Sequence, residues 1–319
     1  MRNSLRSALA VVVCGLVTGC VVSPEIIMPI ESDYAVYRVT YGTVDDQELQ
    51  FDVFWPEGDG PFPMVINFHG GGWTKRNQEG FPEPMCKWIS NKGYVVFNVS
   101  YRLAPEHRFP TQVNDALGAV LFIKEHAAEY NGDPTRVAIM GDSAGGNLAG
   151  MVACCWNDPS FKPTYPGKGK VTAETQGTVL LFPVLDIVQL HSMFGLYVII
   201  ENPKEIAETY IGGPPSEMLD TYKKASPPYL VHKGVSPTLI VCGADDPLLP
   251  QSQSYKKKLD ELDVPNGLYV AKGETHGFTA FPFNRGARAA YNAIGVFLDL
   301  ELKHMRPRGK AKAASKQAK

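Results

Sequence analysis

Eight runs rich in β-branched and aromatic residues recur along the chain, and the later ones alternate with segments of helical periodicity; no other feature restricts the fold as strongly. The runs are VYRVTYG (36–42), LQFDVFWP (49–56), MVINFH (64–69), YVVFNVSY (94–101), RVAIMG (136–141), TVLLFPV (178–184), TLIVCG (238–243) and LYVAKG (268–273). Between them, TQVNDALGAVLFIKEHAAEY places Val113, Leu117, Val120, Leu121 and Lys124 at helical spacing, and YNGDP ends it as a turn. QSQSYKKKLDELDVP and RGARAAYNAIGVFLDLELK repeat the pattern, with Ile294, Phe297 and Leu298 on one face of the last. VAIM and TVLLF are apolar at every position, as expected of parallel strands covered by helices on both faces. The first two runs precede any helix and predict an antiparallel hairpin at one edge. The fold class is therefore α/β, one domain with a mostly parallel central sheet.

The residues from Asp186 to Gly234 break the alternation, with two Pro-Pro pairs and many apolar and aromatic residues. An insert there lies at the carboxyl ends of the strands, where open α/β sheets bind ligands, so 186–234 is a candidate lid. The predicted organisation is a leader over 1–20, an N-terminal segment over 21–46, the α/β domain over 47–304 and a tail over 305–319.

The two termini differ in character. Arg2 and Arg6 precede an uncharged, mostly apolar segment from Ser7 to Val22, the layout of a secretory signal and short for a membrane span of about 20 residues. Within it LVTGC resembles the bacterial lipobox, which implies lipidation of Cys20 and an exported, membrane-anchored protein of the cell envelope; plain cleavage and an uncleaved anchor are the alternatives. From Lys303 to Lys319 there are seven Lys/Arg and no acid, with few apolar residues, so this tail reads as disordered. A formal net charge of −2 over 319 residues gives no reason to expect nucleic acid as a partner. Cys86, Cys154, Cys155 and Cys242 sit in apolar surroundings and read as small buried hydrophobes, and no Cys/His spacing suggests a metal.

RVAIM followed by GDSAGGNLAGMVA is strand, tight turn and helix, so GDSAG fits the G-x-S-x-G elbow that presents a serine nucleophile. By itself the pentapeptide leaves a second reading open, in which Ser143 only caps the helix. The stretch NFHGGGW, at 67–73, ends a strand with three glycines whose N–H groups a ligand can approach closely. A tetrahedral intermediate needs at least two such donors, and Gly70 and Gly71 with the N–H of Ala144 are the candidates. The G-K-[ST] ending of a P-loop and the G-x-G-x-x-G spacing are absent.

Serine needs a base, and the base an orienting carboxylate. Beyond Ser143 the histidines are His191 and His232 in the insert, His304 in the tail, and His276 in the loop between the last strand and the last helix. Asp245 and Asp246 both follow the strand TLIVCG; Asp246, next to Pro247, is preferred and Asp245 held in reserve. The order Ser, Asp, His is that of the α/β-hydrolases.

The stretches HGGGW, YRLAPEHRFP, GDSAGGN, GADDPLLP and THGF resemble, in order, the α/β-hydrolases of the hormone-sensitive-lipase-like branch and the short-lid carbohydrate esterases near it. The resemblance implies an α/β-hydrolase fold, Asp246 as the acid, His276 as the base, and Arg102 with Glu106 as a scaffold ion pair. It implies that Asp142 supports the elbow. Only a short segment precedes the first strand, where full members of the branch carry a larger cap, which argues against lipid-sized substrates. The expected activity is that of a serine carboxylesterase acting on short acyl esters without metal or organic cofactor. A carbohydrate acetyl or feruloyl esterase and, because HGGGW resembles an aryl formamidase signature, an amide hydrolase are the alternatives, with a non-catalytic binding protein the competing class.

Overall fold

The computed structural model describes residues 35–44, 46–75, 82–193 and 202–303. The predicted leader with Cys20, residue 304 with the predicted tail over 305–319, and part of the insert, 194–201, lie outside them.

All eight apolar runs form strands: β1 (Ala35–Val44), β2 (Gln47–Phe54), β3 (Phe62–Phe68), β4 (Val95–Val99), β5 (Gly132–Asp142), β6 (Gly177–Leu181), β7 (Thr238–Gly243) and β8 (Asn266–Ala271). They make one sheet in the order β1-β2-β4-β3-β5-β6-β7-β8. β1 and β2 form the antiparallel edge and β2 runs antiparallel to β4, while every pairing from β4 to β8 is parallel. Parallel neighbours require a crossover, and the helical segments supply it. These are α1 (Glu83–Ser90), α2 (Thr111–Glu125), α3 (Ala144–Cys155), α4 (Ile187–Ser192), α5 (Pro203–Ile211), α6 (Pro215–Lys224), α7 (Leu249–Glu261) and α8 (Arg285–Leu298).

The expected domain start at 47 is corrected by the edge pairing. The ladder of β1 with β2, from Ala35 opposite Phe54 to Val44 opposite Gln47, makes it part of the sheet and not of a separate N-terminal segment over 21–46. The sheet therefore starts at Ala35.

Every residue of β4, β6 and β7 is buried, which requires cover on both faces. One helical layer joins α1 to α8 through Trp88 and Tyr291, their ring centroids 5.3 Å apart. The other includes α3 and α7, where the Cys154 thiol meets the Tyr255 hydroxyl at 3.5 Å. Cys86, Cys154, Cys155 and Cys242 are all free and buried, as their apolar settings predict. Among the described residues no helix is long and apolar enough to cross a membrane.

The scaffold ion pair differs from the expected one. Arg102 binds Asp115 of α2, not Glu106: Nη2 donates to Oδ1 at 2.8 Å, and Nε and the backbone N–H of Arg102 both donate to Oδ2 at 3.0 Å. Glu106 is exposed. A guanidinium taken out of water needs a bidentate partner more than a neighbour in sequence, and the register of α2 brings the Asp115 carboxylate to it. Removing one partner strands a buried charge. Arg102→Met is therefore expected to lower unfolding free energy by about 3–5 kcal/mol, and Glu106→Gln to leave it unchanged, both read by urea titration.

Lys124, at helical spacing with Val113, Leu117, Val120 and Leu121, is buried on α2, with Nζ donating to the Glu174 carbonyl at 2.6 Å. Burial lowers its amine to about 8, from an ordinary 10.5. Between those values the unfolded chain binds more protons than the folded one, so this group makes stability rise with pH across that window. Lys124→Met is expected to raise the melting temperature near neutral pH and to lose that advantage as pH climbs toward the upper value. Thermal unfolding at stepped pH checks this, and an advantage independent of pH contradicts it.

Candidate active site

The residues singled out after strands β3, β5, β7 and β8 converge at the carboxyl ends of the sheet. β5 ends at Asp142 and α3 begins at Ala144, so Ser143 alone makes the turn, with φ 53° and ψ −112°. Its N–H donates to the Leu181 carbonyl at 2.9 Å, and its carbonyl accepts from Val184 at 3.1 Å, which fixes the elbow to the end of β6. A Cβ on Gly141 would strike the Gly145 carbonyl, and one on Gly145 would strike the carbonyls of Phe68 and His69. Both glycines are thus set by backbone contact between the turn, the helix and β3.

The hydroxyl of Ser143 makes no capping bond to α3. It faces His276, with Oγ 3.0 Å from Nε2. On the far side of the imidazole, Nδ1 lies 2.9 Å from Oδ2 of Asp246, and the other carboxylate oxygen accepts the Leu248 N–H at 2.8 Å. Asp246 is buried, whereas Asp245 is exposed and its backbone N–H is turned to the Glu274 carbonyl. The structure therefore joins Ser143, His276 and Asp246 and leaves Asp245 aside. His191 instead meets Glu208 of α5 at 2.9 Å, and His232 meets the Cys154 carbonyl at 3.1 Å.

The glycine loop corrects one expected donor. The N–H of Gly70 donates to Oδ1 of Asp142 at 2.9 Å and is engaged in holding the loop to the elbow. Asp142 supports the site in this way, as the family resemblance implies. Gly71 and Gly72 follow with φ 117° and 63°, and the Gly71 carbonyl is turned into the next turn, where it accepts from Thr74 and Lys75. Three glycines in a row gave no means of choosing between the first and third, because the discriminating partner, Asp142, lies on another strand. With Gly70 engaged, the donors remaining in this set are the N–H groups of Gly71, Gly72 and Ala144.

The insert 186–234 supplies α4, α5 and α6. Its helix α5 reaches the glycine loop: Tyr210 stacks on Trp73 at 4.1 Å and 6°, and a Cβ on Gly72 would lie 3.2 Å from Ile206. Trp73, fully buried and with φ 59°, is held in that conformation by this stack and by its carbonyl, which accepts from Ala104 at 2.9 Å. Among the described residues no three His, Cys, Asp or Glu side chains converge as a metal-ligand set.

A mostly parallel eight-stranded sheet, with Ser143 at the tight turn after β5, Asp246 after β7 and His276 after β8, is an α/β-hydrolase. Residues 51–260 match the BD-FAE family, and the chain belongs to it, among the hormone-sensitive-lipase-like α/β-hydrolases. The carboxylic ester hydrolase LipN of Mycobacterium tuberculosis is 30% identical over 246 residues, which cover 75% of this chain and 63% of LipN. An arylesterase of Saccharolobus solfataricus is 29% identical over 263 residues, 80% of each protein. An esterase structure from Pyrobaculum calidifontis superposes with a TM-score of 0.71 at 25% identity, over 84% of this chain and 85% of that one. The aligned regions span 53% of LipM, a second Mycobacterium tuberculosis relative, and 63% of LipN, so the chain matches about half to two thirds of those mycobacterial relatives.

Proposed function

We propose that this chain is a serine carboxylesterase that hydrolyses short acyl esters through an acyl-enzyme. The observation that carries the reading is the continuous line Ser143 Oγ, His276, Asp246 at 3.0 and 2.9 Å, with the serine hydroxyl released from any capping role. With the Nδ1 proton directed to Asp246, Nε2 of His276 is free to accept the serine proton as Oγ attacks the ester carbonyl. The oxyanion forms beside the N–H groups of Gly71, Gly72 and Ala144; removal of one such donor typically costs about 2.7–4 kcal/mol of transition-state stabilisation. His276 then protonates the leaving alkoxide, and a water deprotonated by the same imidazole attacks the acyl-enzyme and frees the acid and Ser143.

The preference for small acyl groups is supported by the close seat of α5 over the loop, where Ile206 and the Trp73–Tyr210 stack occupy space beside Gly72. The ester hydrolases among its relatives support the reaction class. From the leader sequence we infer export and anchoring through a lipid on Cys20. The test is a panel of p-nitrophenyl acetate, butyrate and longer esters, acetylated xylan, feruloyl esters and N-formylkynurenine, combined with phosphonate labelling and peptide mapping. Labelling at Ser143 with turnover of the short esters is expected. Preference for a formamide moves the chain to amide chemistry, and absence of both turnover and labelling makes it a binding protein on this scaffold.

A further inference from the structure

Three bulky or polar residues with positive φ stand beyond the ends of three neighbouring strands: Trp73 after β3, Ser143 after β5 and Phe182 after β6, the last with φ 35°. Ser143 makes the elbow and Trp73 is held by Tyr210. Phe182 has no such account in the hydrolytic line. A bulky L-residue in this region is strained, and such strain persists only where the surroundings impose it.

The surroundings do impose it. The Phe182 N–H donates to the Val241 carbonyl of β7 at 2.6 Å, while its neighbours Leu181 and Val184 hold the N–H and carbonyl of Ser143. The chain is thereby tied to β7 on one side and to the elbow on the other. The ring, 1% exposed, lies against the imidazole of His276 with centroids 4.9 Å apart at 69°, and against Phe278 at 6.0 Å. Glycine would adopt this backbone without strain, but only a ring supplies that wall.

We propose that Phe182 is a positioning residue for His276, and this rests on the Ser143–His276–Asp246 reading above. Two hydrogen bonds, at Nδ1 and Nε2, hold the imidazole by its edge, and neither presses on its face. A packed ring on its flank fixes the plane. During turnover Nε2 must face first the serine hydroxyl and then the leaving oxygen, so the plane matters to both proton transfers, and misplacement by about 1 Å is enough to cost up to about 100-fold in rate.

The test compares Phe182→Leu, which keeps most of the buried volume, with Phe182→Tyr, which keeps the ring, and adds Phe182→Met as a second aliphatic variant should Leu fold poorly. Folding is checked by thermal midpoint. The aliphatic variants are expected to lose about tenfold to thirtyfold in kcat on p-nitrophenyl butyrate, with KM within about twofold, because misorientation acts on the proton transfers and not on ester binding. Their rates of phosphonylation should fall by a similar factor, and Tyr should restore kcat to within about threefold of wild type. A folded Leu or Met variant with unchanged kcat, a loss carried by KM, or a Tyr variant as slow as Leu overturns the proposal. Phosphonate labelling of the wild type separates the two levels. Failure to label Ser143 sinks the triad reading, whereas normal labelling beside a fully active Leu variant sinks only the role of Phe182.

Discussion

Ser143→Ala is expected to reduce kcat on short p-nitrophenyl esters by on the order of 10⁶-fold while leaving the melting temperature unchanged or slightly raised. The two readings of this serine predict opposite pairs of results. A helix cap replaced by alanine would lower stability by about 0.5–2 kcal/mol and have no direct effect on turnover. The structure favours the other pair, since the hydroxyl makes no bond to the first turn of α3 and points to His276 Nε2 at 3.0 Å. Alanine accepts the same positive φ that serine adopts here, so the substitution removes the nucleophile without a new backbone penalty. Steady-state kinetics and thermal unfolding of one preparation decide between the readings. A variant that melts early and still turns over ester would return Ser143 to the capping role.

The second large effect is at Asp246. Asp246→Asn is expected to lower kcat by about 10,000-fold with the fold intact, through the tautomer of the base and not through loss of packing. One carboxylate oxygen accepts the Leu248 N–H at 2.8 Å, and an asparagine keeps that bond only by directing its carbonyl there. Its amide nitrogen then faces Nδ1 of His276, at the position where Oδ2 accepts at 2.9 Å. Two donors cannot meet, so Nδ1 gives up its proton and Nε2 carries one, and a protonated Nε2 cannot take the proton of Ser143. Asp245→Asn is the matched control. That side chain is exposed, its backbone N–H is bonded to Glu274, and turnover within about twofold of wild type is expected. Equal losses at both aspartates would mean that the acid had been misassigned.

Much of this is legible in the sequence. The eight strands were written as continuous or alternating apolar runs because parallel strands under two helical layers have no face to give to water. The elbow was legible because contacts forbid a Cβ at Gly141 and Gly145, and the candidates Asp246 and His276 because each falls in a loop directly after a strand. Reading was weaker wherever the partner lies far along the chain. YRLAPE suggested a pair between Arg102 and Glu106 because the two are close in sequence, yet the guanidinium reaches Asp115 on the next helix. HGGG pointed to Gly70 and Gly71, and only the Asp142 carboxylate, 72 residues on, showed that the first of these is already engaged.

The sequence by itself determined the order of strands and helices, the candidate serine and histidine with the pair of candidate aspartates, and the position of the insert, because each rests on short-range patterning of side chains against a regular backbone. The tertiary structure decided which N–H groups remain for an oxyanion, which carboxylate holds Arg102, that Asp246 and not Asp245 meets His276, and that a strained Phe182 lies against the imidazole. Those choices depend on distances between loops brought together only when the sheet closes its register, and no local periodicity encodes them.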